Sequence, residues 1–237
     1  MPELTVVIPC YNETRRLEPF FSLIREHAEL PWEWLFVDDG STDDTAARIA
    51  AFAADQPRVR LIGHRPNRGK GAAVRLGLAE ATGDHVGYVD VDLAASPLDF
   101  RRFLAEPDVR DGRAMVLGIR LKTHDGAVER LFYRHVMGRV FQTYTSMMTG
   151  LTVYDTQCGF KLLRRDHAHA IAARMQCDGF AFDVELILLA KQLGLRLREE
   201  LIPWREMGNT KVRPRHILMM LLEIYRIRRH HGPANSR

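Results

Sequence analysis

Glu33-Trp34-Leu35-Phe36-Val37-Asp38-Asp39-Gly40-Ser41-Thr42-Asp43 is the stretch that decides the fold. The apolar run 33–37 suits a strand covered on both faces, and it ends in two adjacent carboxylates and a glycine. An Ala-rich stretch over 43–54 follows at once with helical spacing; Ser41 or Thr42 is placed to cap it, and Asp43 and Asp44 suit the positive end of its dipole. The unit is therefore strand, acidic turn, helix.

The same unit recurs on both sides. Residues 4–9 form a β-branched run closed by Pro9, and a helical pattern over 13–28 runs through Leu17, Phe20, Phe21 and Ile24. Residues 59–63 read as a third strand, 71–81 as a third helix, and 85–89 as a fourth strand that ends at Asp90-Val91-Asp92. Beyond these the pattern predicts a helix over 97–104, a strand over 114–119, and a long amphipathic helix over 128–148. Helices over 166–174 and 183–193, a strand over 196–202, and a last helix opened by Pro214 and running to about His230 complete it. Such alternation predicts an α/β protein: a Rossmann-like, mostly parallel central sheet with helices on both faces and ligand groups at the carboxyl ends of the strands.

Composition bounds what that fold can do. A chain of 237 residues, 46% hydrophobic and 27% charged, suits one folded domain over 1–237 that ends in a basic amphipathic helix (214–237). The net charge of +4 favours anionic partners, but no nucleic-acid-binding motif accompanies it. Cys10, Cys158 and Cys177 are too few for a disulfide framework and form no C-x-x-C pair, which argues against zinc and for a reducing, cytoplasmic setting. Residues 1–5 do not read as a signal peptide, and the densest apolar run, 217–222, falls far short of the roughly 20 residues that span a bilayer. Any membrane contact is expected to be peripheral. Ile217, Leu221, Ile224 and Tyr225 give the last helix an apolar face and basic residues crowd its end, a pattern that suits either an anionic membrane surface or packing on the core.

Four strand ends carry chemistry. Pro9-Cys10-Tyr11-Asn12-Glu13 offers an aromatic face and a carboxylate to a base and ribose, and Asp38 with Asp39 needs partners or a ligand. Asn67-Arg68-Gly69-Lys70-Gly71 opens the third helix, where Lys70 and the helix N-terminus can receive an anion. It lacks the spacing of a Walker A loop, and no G-x-G-x-x-G follows the first strand, so P-loop and dinucleotide chemistry lose support. Asp90 and Asp92 lie on one side of an extended segment and can hold a hard divalent ion that neutralises a diphosphate.

Taken in order, Pro9-x-Tyr11-Asn12-Glu13, Val37 to Asp43, Asn67-x-Gly69-Lys70-Gly71 and Asp90-x-Asp92 resemble family 2 glycosyltransferases of the GT-A fold. Gly118-Ile119-Arg120, Arg130, Arg134, the segment 155–162 and Phe182-Asp183-Val184-Glu185-Leu186 resemble the dolichyl-phosphate glucosyltransferase branch, related to dolichyl-phosphate mannose synthases. The resemblance implies an inverting, metal-dependent transferase that moves a sugar, expected to be glucose, from a UDP-sugar to a polyprenyl phosphate, with a nucleotide-sugar-binding half at 1–95 and an acceptor half at 96–213. It places Pro9, Tyr11, Glu13, Asp38, Asp39, Gly69 and Lys70 around the donor, and Asp90 and Asp92 on Mg²⁺ or Mn²⁺ and the diphosphate. Arg120, Arg130, Arg134 and Lys211 map to the acceptor phosphate, and Asp155, Gln157 and Asp183 join Asp92, Arg120 and Arg134 in the catalytic set.

A phosphate oxygen is already anionic, so Asp155 and Gln157 are expected to orient substrate, whereas Asp183 would act as a base only toward a sugar hydroxyl. The chain departs from the pattern at Leu93-Ala94-Ala95-Ser96, which lacks a Gln after the metal pair, and at Ile119, where a Ser is usual. Transfer to a sugar hydroxyl, and a non-catalytic nucleotide-sugar-binding module, are the alternatives.

Overall fold

The computed structural model describes residues 1–121, 141–204 and 214–234. Among them, β1 (Leu4–Cys10), β2 (Trp32–Asp38), β3 (Val59–Gly63), β4 (His85–Val89), β5 (Ala114–Leu121), β6 (Phe160–Arg164) and β7 (Arg196–Pro203) form one sheet in the order β3-β2-β1-β4-β6-β5-β7. Strands β1 to β4 pair in parallel. Strand β6 runs antiparallel to both β4 and β5, and β7 is parallel to β5. The expected α/β architecture with a mostly parallel sheet is what forms.

Helices α1 (Leu17–Glu26), α2 (Thr45–Ala54), α3 (Lys70–Glu80), α4 (Phe100–Leu104) and α5 (Pro107–Arg110) precede a helical segment α6 at 141–149, and α7 (Arg165–Ala172), α8 (Phe182–Gln192) and α9 (Pro214–His231) follow. The first part of the long helix expected over 128–148 lies outside the described residues.

Alternation along each strand divides the core in two. Val6, Ile8, Trp34 and Phe36 join Phe20, Phe100 and Phe160 on one face of the sheet. Val7, Leu35, Val37 and Tyr88 join Val74, Phe182 and Leu186 on the other. Both faces are covered, which is why β1 and β2 read as unbroken apolar runs.

Three local expectations need correction. Helix α1 starts at Leu17 rather than near residue 13, because the Arg16 N–H turns back to the Glu13 carbonyl at 2.7 Å. Ser41 and Thr42 do not cap α2: the Ser41 hydroxyl accepts the Asn12 N–H at 3.0 Å and the Thr42 N–H donates to Asn12 Oδ1 at 2.8 Å. The Thr45 N–H is taken by Asp43 Oδ1 at 3.0 Å instead. Strand β6, finally, was not expected at all; it lies within and beyond the 155–162 motif.

Helix α9 is docked on the core by Met220, Ile224 and Ile227, all buried. Glu223 Oε2 accepts the Ala181 N–H at 2.9 Å at the start of α8, and His231 Nε2 lies 2.7 Å from Glu185 Oε1. The expected apolar face divides, since Ile224 is buried while Tyr225 is 47% exposed. No helix among the described residues is long and apolar enough to cross a membrane.

Candidate active site at the carboxyl edge of the sheet

The parallel register sets Cys10 beside Asp38, so the loops after β1 and β2 leave the sheet together. Asn12, at φ +51°, ties them: besides its bonds to Ser41 and Thr42, the neighbouring Glu13 N–H donates to Thr45 Oγ1 at 2.8 Å. Glu13 is nearly buried and pairs with Arg16 at 3.3 Å, whereas Tyr11 is 38% exposed at the mouth of the same turn. Pro9, Tyr11, Glu13 and Asp38 are thus gathered at one edge, and Asp38 receives the Ser41 N–H at 3.2 Å.

Asp39 is used differently. Its buried carboxylate accepts from Asn67 Nδ2 at 2.7 Å, Arg68 N at 2.8 Å and Gly69 N at 3.0 Å, and lies 2.7 Å from His64 Nε2. One carboxylate therefore fixes the whole 64–69 loop. The helix N-terminus expected to receive an anion is likewise occupied, for Gly71 N and Ala72 N both donate to the Asp178 carbonyl, at 2.9 and 3.3 Å. A side chain on Gly69 or Gly71 would come within 2.3 or 2.2 Å of the Asp178 or Cys177 carbonyl oxygen. These glycines admit the 177–179 backbone, and Lys70 alone is turned to the site.

Lys70 reaches Asp90 Oδ1 at 2.6 Å, and the Tyr88 hydroxyl donates to the same oxygen at 2.9 Å. Burial opposes the Asp90 charge, but Lys70 and Tyr88 outweigh it and hold the carboxyl below its ordinary range. Burial and the facing Asp90 charge push the Tyr88 phenol well up, so it remains a donor. Opposite Tyr88 across the sheet stands Lys161, whose side chain is 2% exposed. Its ammonium donates to the Cys158 carbonyl at 2.7 Å and to the Thr156 carbonyl at 3.3 Å, and approaches Asp183 Oδ1 obliquely at 2.5 Å as an ion pair. Burial raises the Asp183 carboxyl despite that partner and despite Lys70.

Asp92 lies past the strand end, where its Oδ1 accepts the Ala94 N–H at 3.1 Å and Leu93 turns the chain at φ +54°, a strained conformation for a branched residue. Asp90 and Asp92 fit a hard divalent ion in donor type, and a Cβ at Gly159 would come within 2.3 Å of Asp90 Oδ2, so the glycine keeps that carboxylate edge clear. Among the described residues no group of three acidic, His or Cys side chains could hold a metal.

The Gly159 segment links this centre to a second one. Arg120 donates from Nε to Asp155 Oδ2 at 2.6 Å and from Nη2 to Asp155 Oδ1 at 2.9 Å, a bidentate pair, and its guanidinium carbon lies 5.5 Å from the Trp204 ring centre. The Arg120 side chain is 41% exposed. Asp155 also accepts the Gln157 N–H at 3.1 Å, while the buried Gln157 Nε2 has no hydrogen-bond partner among the described residues. Arg130, Arg134 and Lys211 lie outside the described residues. Sequence reasoning missed Tyr88, Trp204 and Lys161 as parts of the site. Only Lys161 left a signal, a lysine inside the apolar run Phe160-Lys161-Leu162-Leu163.

Known proteins share the family and the fold of this chain. The pattern described as Glycosyl transferase family 2 matches residues 5–171. The chain is 31% identical over 240 residues to the dolichyl-phosphate beta-glucosyltransferase of Dictyostelium discoideum, covering 95% of this chain and 73% of that protein. It is 31% identical over 229 residues to the Saccharomyces cerevisiae protein of the same name, covering 88% and 69%. Among solved structures, glucosyl-3-phosphoglycerate synthase from Mycobacterium tuberculosis in complex with Mg²⁺ and uridine-diphosphate superposes with a TM-score of 0.69 at 21% identity, over 99% of this chain and 81% of that one. The fold is GT-A.

Proposed function

We propose that this chain, a glycosyltransferase that belongs to glycosyl transferase family 2, transfers glucose from UDP-glucose to a polyprenyl phosphate with inversion at the anomeric carbon. The names of its relatives support the glucose and the lipid phosphate. The observation that carries the reading is that one segment, 155–159, holds Asp155 paired with Arg120, the Gln157 amide, unpartnered among the described residues, and Gly159 set against Asp90.

In this reading Pro9, Tyr11, Glu13 and Asp38 bind the nucleoside, and Asp90 and Asp92 would hold Mg²⁺ or Mn²⁺. A bound divalent ion supplies positive charge for the diphosphate leaving group. Asp39 and Gly69 serve the donor by fixing the 64–69 loop rather than by touching it. Arg120, held flat by Asp155 and Trp204, orients the acceptor phosphate, and the Gln157 amide donates to an oxygen of sugar or phosphate. Arg130, Arg134 and Lys211 are assigned to the same anion by resemblance.

The acceptor oxygen is anionic at neutral pH, so a single in-line displacement on an α-linked donor needs positioning and no base. Asp183 suits that chemistry: it faces inward to Lys161, which leaves it poorly placed to deprotonate a sugar hydroxyl. A lipid acceptor and three buried cysteines, none of them in a disulfide, fit work at the cytoplasmic face of a membrane.

The test is turnover with Mn²⁺, UDP-glucose and a short polyprenyl phosphate. The expected result is stoichiometric UDP and a β-linked glucosyl phospholipid. UDP released only with a sugar-hydroxyl acceptor would replace the reading, and no turnover with any acceptor would end it.

A further inference from the structure

Helix α9 has two faces where one was expected. Met220, Ile224 and Ile227 are buried, yet Leu218, Met219, Leu222 and Tyr225 are 65%, 54%, 53% and 47% exposed. At about 100° per residue the second set projects away from the core, and Arg226, Arg229 and His230 continue the same arc over the last two turns. A shallow groove of about 620 Å³ runs along this arc between Gln176, Leu222, Tyr225, Arg226, Arg229 and His230. Apolar side chains therefore lead and cations follow along one outward stripe.

We propose that this outward stripe of α9 docks the protein on an anionic phospholipid bilayer. Four large apolar side chains exposed together on one helix favour an apolar occupant. The arginines beside them select one whose surface is negative, because Tyr225 and the arginine stems carry the contact from acyl chain to phosphate. A second copy of this chain fits worse, since both partners would bring Arg226 and Arg229 into one contact with no acidic stripe to meet them, and the chain carries +4 overall. The helix that carries the stripe packs against the segment that opens α8, where the rings of His216 and Phe180 are 5.1 Å apart and Glu223 accepts the Ala181 N–H, so a docked stripe is joined directly to the helix that carries Asp183. The inference rests on the lipid-acceptor reading for its purpose, but binding is measured without turnover, so each can fail alone.

The experiment is co-sedimentation of the full chain with vesicles of phosphatidylcholine, with and without phosphatidylglycerol. Binding is expected to the anionic vesicles, to weaken with added salt, and to fall about 30-fold in Arg226→Gln/Arg229→Gln. Leu222→Glu should abolish it while circular dichroism and thermal unfolding stay unchanged, because all three positions lie on the outward arc. Equal binding to both vesicle types, binding untouched by these substitutions, or binding to neither overturns the proposal. So does a concentration-dependent dimer that Leu222→Glu dissolves, which would assign the stripe to a second copy. UDP release with a water-soluble acceptor phosphate should be unaffected in Arg226→Gln/Arg229→Gln, which separates docking from chemistry.

Discussion

The ends of β2 and β4 each present a pair of aspartates, and the fold treats the two pairs in opposite ways. After β2, Asp39 receives the Arg68 and Gly69 N–H groups and the His64 and Asn67 side chains, so its charge holds the 64–69 loop, while Asp38 takes the Ser41 N–H. After β4, Asp90 is matched by the Lys70 ammonium and the Tyr88 hydroxyl, while Asp92 receives the Ala94 N–H on one oxygen. Fixed N–H groups bind a carboxylate permanently, whereas a mobile ammonium can be exchanged for another cation. Adjacent acids at a strand end are therefore not equivalent as ligand candidates. What separates them is whether the following loop turns its amides back.

The largest test concerns what lies beneath the second pair. Lys161→Met strands the Asp183 carboxylate in the core, and breaking a buried pair from one side costs about 3–5 kcal/mol. Denaturant unfolding should show that loss, and Lys161→Met/Asp183→Leu should recover most of it, because two apolar groups replace two charges. If the single variant unfolds like the parent, the ion pair does not support the β4 end and the contrast loses its foundation.

A smaller pair of effects addresses the contrast itself. Asp92→Asn should lower the turnover rate on the order of 10²–10³-fold while leaving the melting temperature nearly unchanged, since the residue stands past the strand. Asp39→Asn should do the reverse. An amide NH₂ turned toward Arg68 N and Gly69 N leaves a buried donor unmatched, at a cost of about 1–3 kcal/mol, with donor affinity falling only as the loop loosens. Similar rate losses in both variants would erase the distinction.

How far the sequence reveals this depends on how local each cause is. The parallel half is legible because each of β1 to β4 is a self-contained apolar run and each of its turns carries its own polar signal. Strand β3 at 59–63 and strand β4 at 85–89 fall where the spacing predicts them. Strand β6 is not legible, because it is only Phe160–Arg164, carries a lysine, and owes its place to β4 and β5 on either side. The site divides the same way. Residue types at Asp90, Asp92, Arg120 and Asp155 stand out alone, but Asp39 could be separated from Asp90 only once the 64–69 loop was seen folded onto it. Helix α9 has a clear period, yet sequence cannot say which arc meets the core, since both arcs are apolar.

The smallest effect sharpens the comparison from within the first acidic turn. Asp43 belongs to the same run as Asp38 and Asp39 but is exposed, and it accepts from the Thr14 hydroxyl at 2.6 Å and from Thr45 N at 3.0 Å. Burial is the largest single influence and opposes its charge, but the hydrogen bonds from Thr14 and Thr45 together outweigh it, bringing the carboxyl from 3.8 to about 2. A depressed folded-state value means the charged form stabilises the fold. That contribution is complete above the unfolded value of 3.8 and is lost as pH falls toward about 2. Asp43→Asn cannot titrate, so the stability gap between parent and variant should be under about 1 kcal/mol at neutral pH, after solvent screening, and should close as pH falls through that window. Denaturant unfolding of both proteins at neutral pH, near pH 4 and toward pH 2 measures the gap. A gap that widens on acidification would mean the folded protein holds Asp43 protonated, and the turn after β2 would then not be stabilised by carboxylate charge at its outer edge.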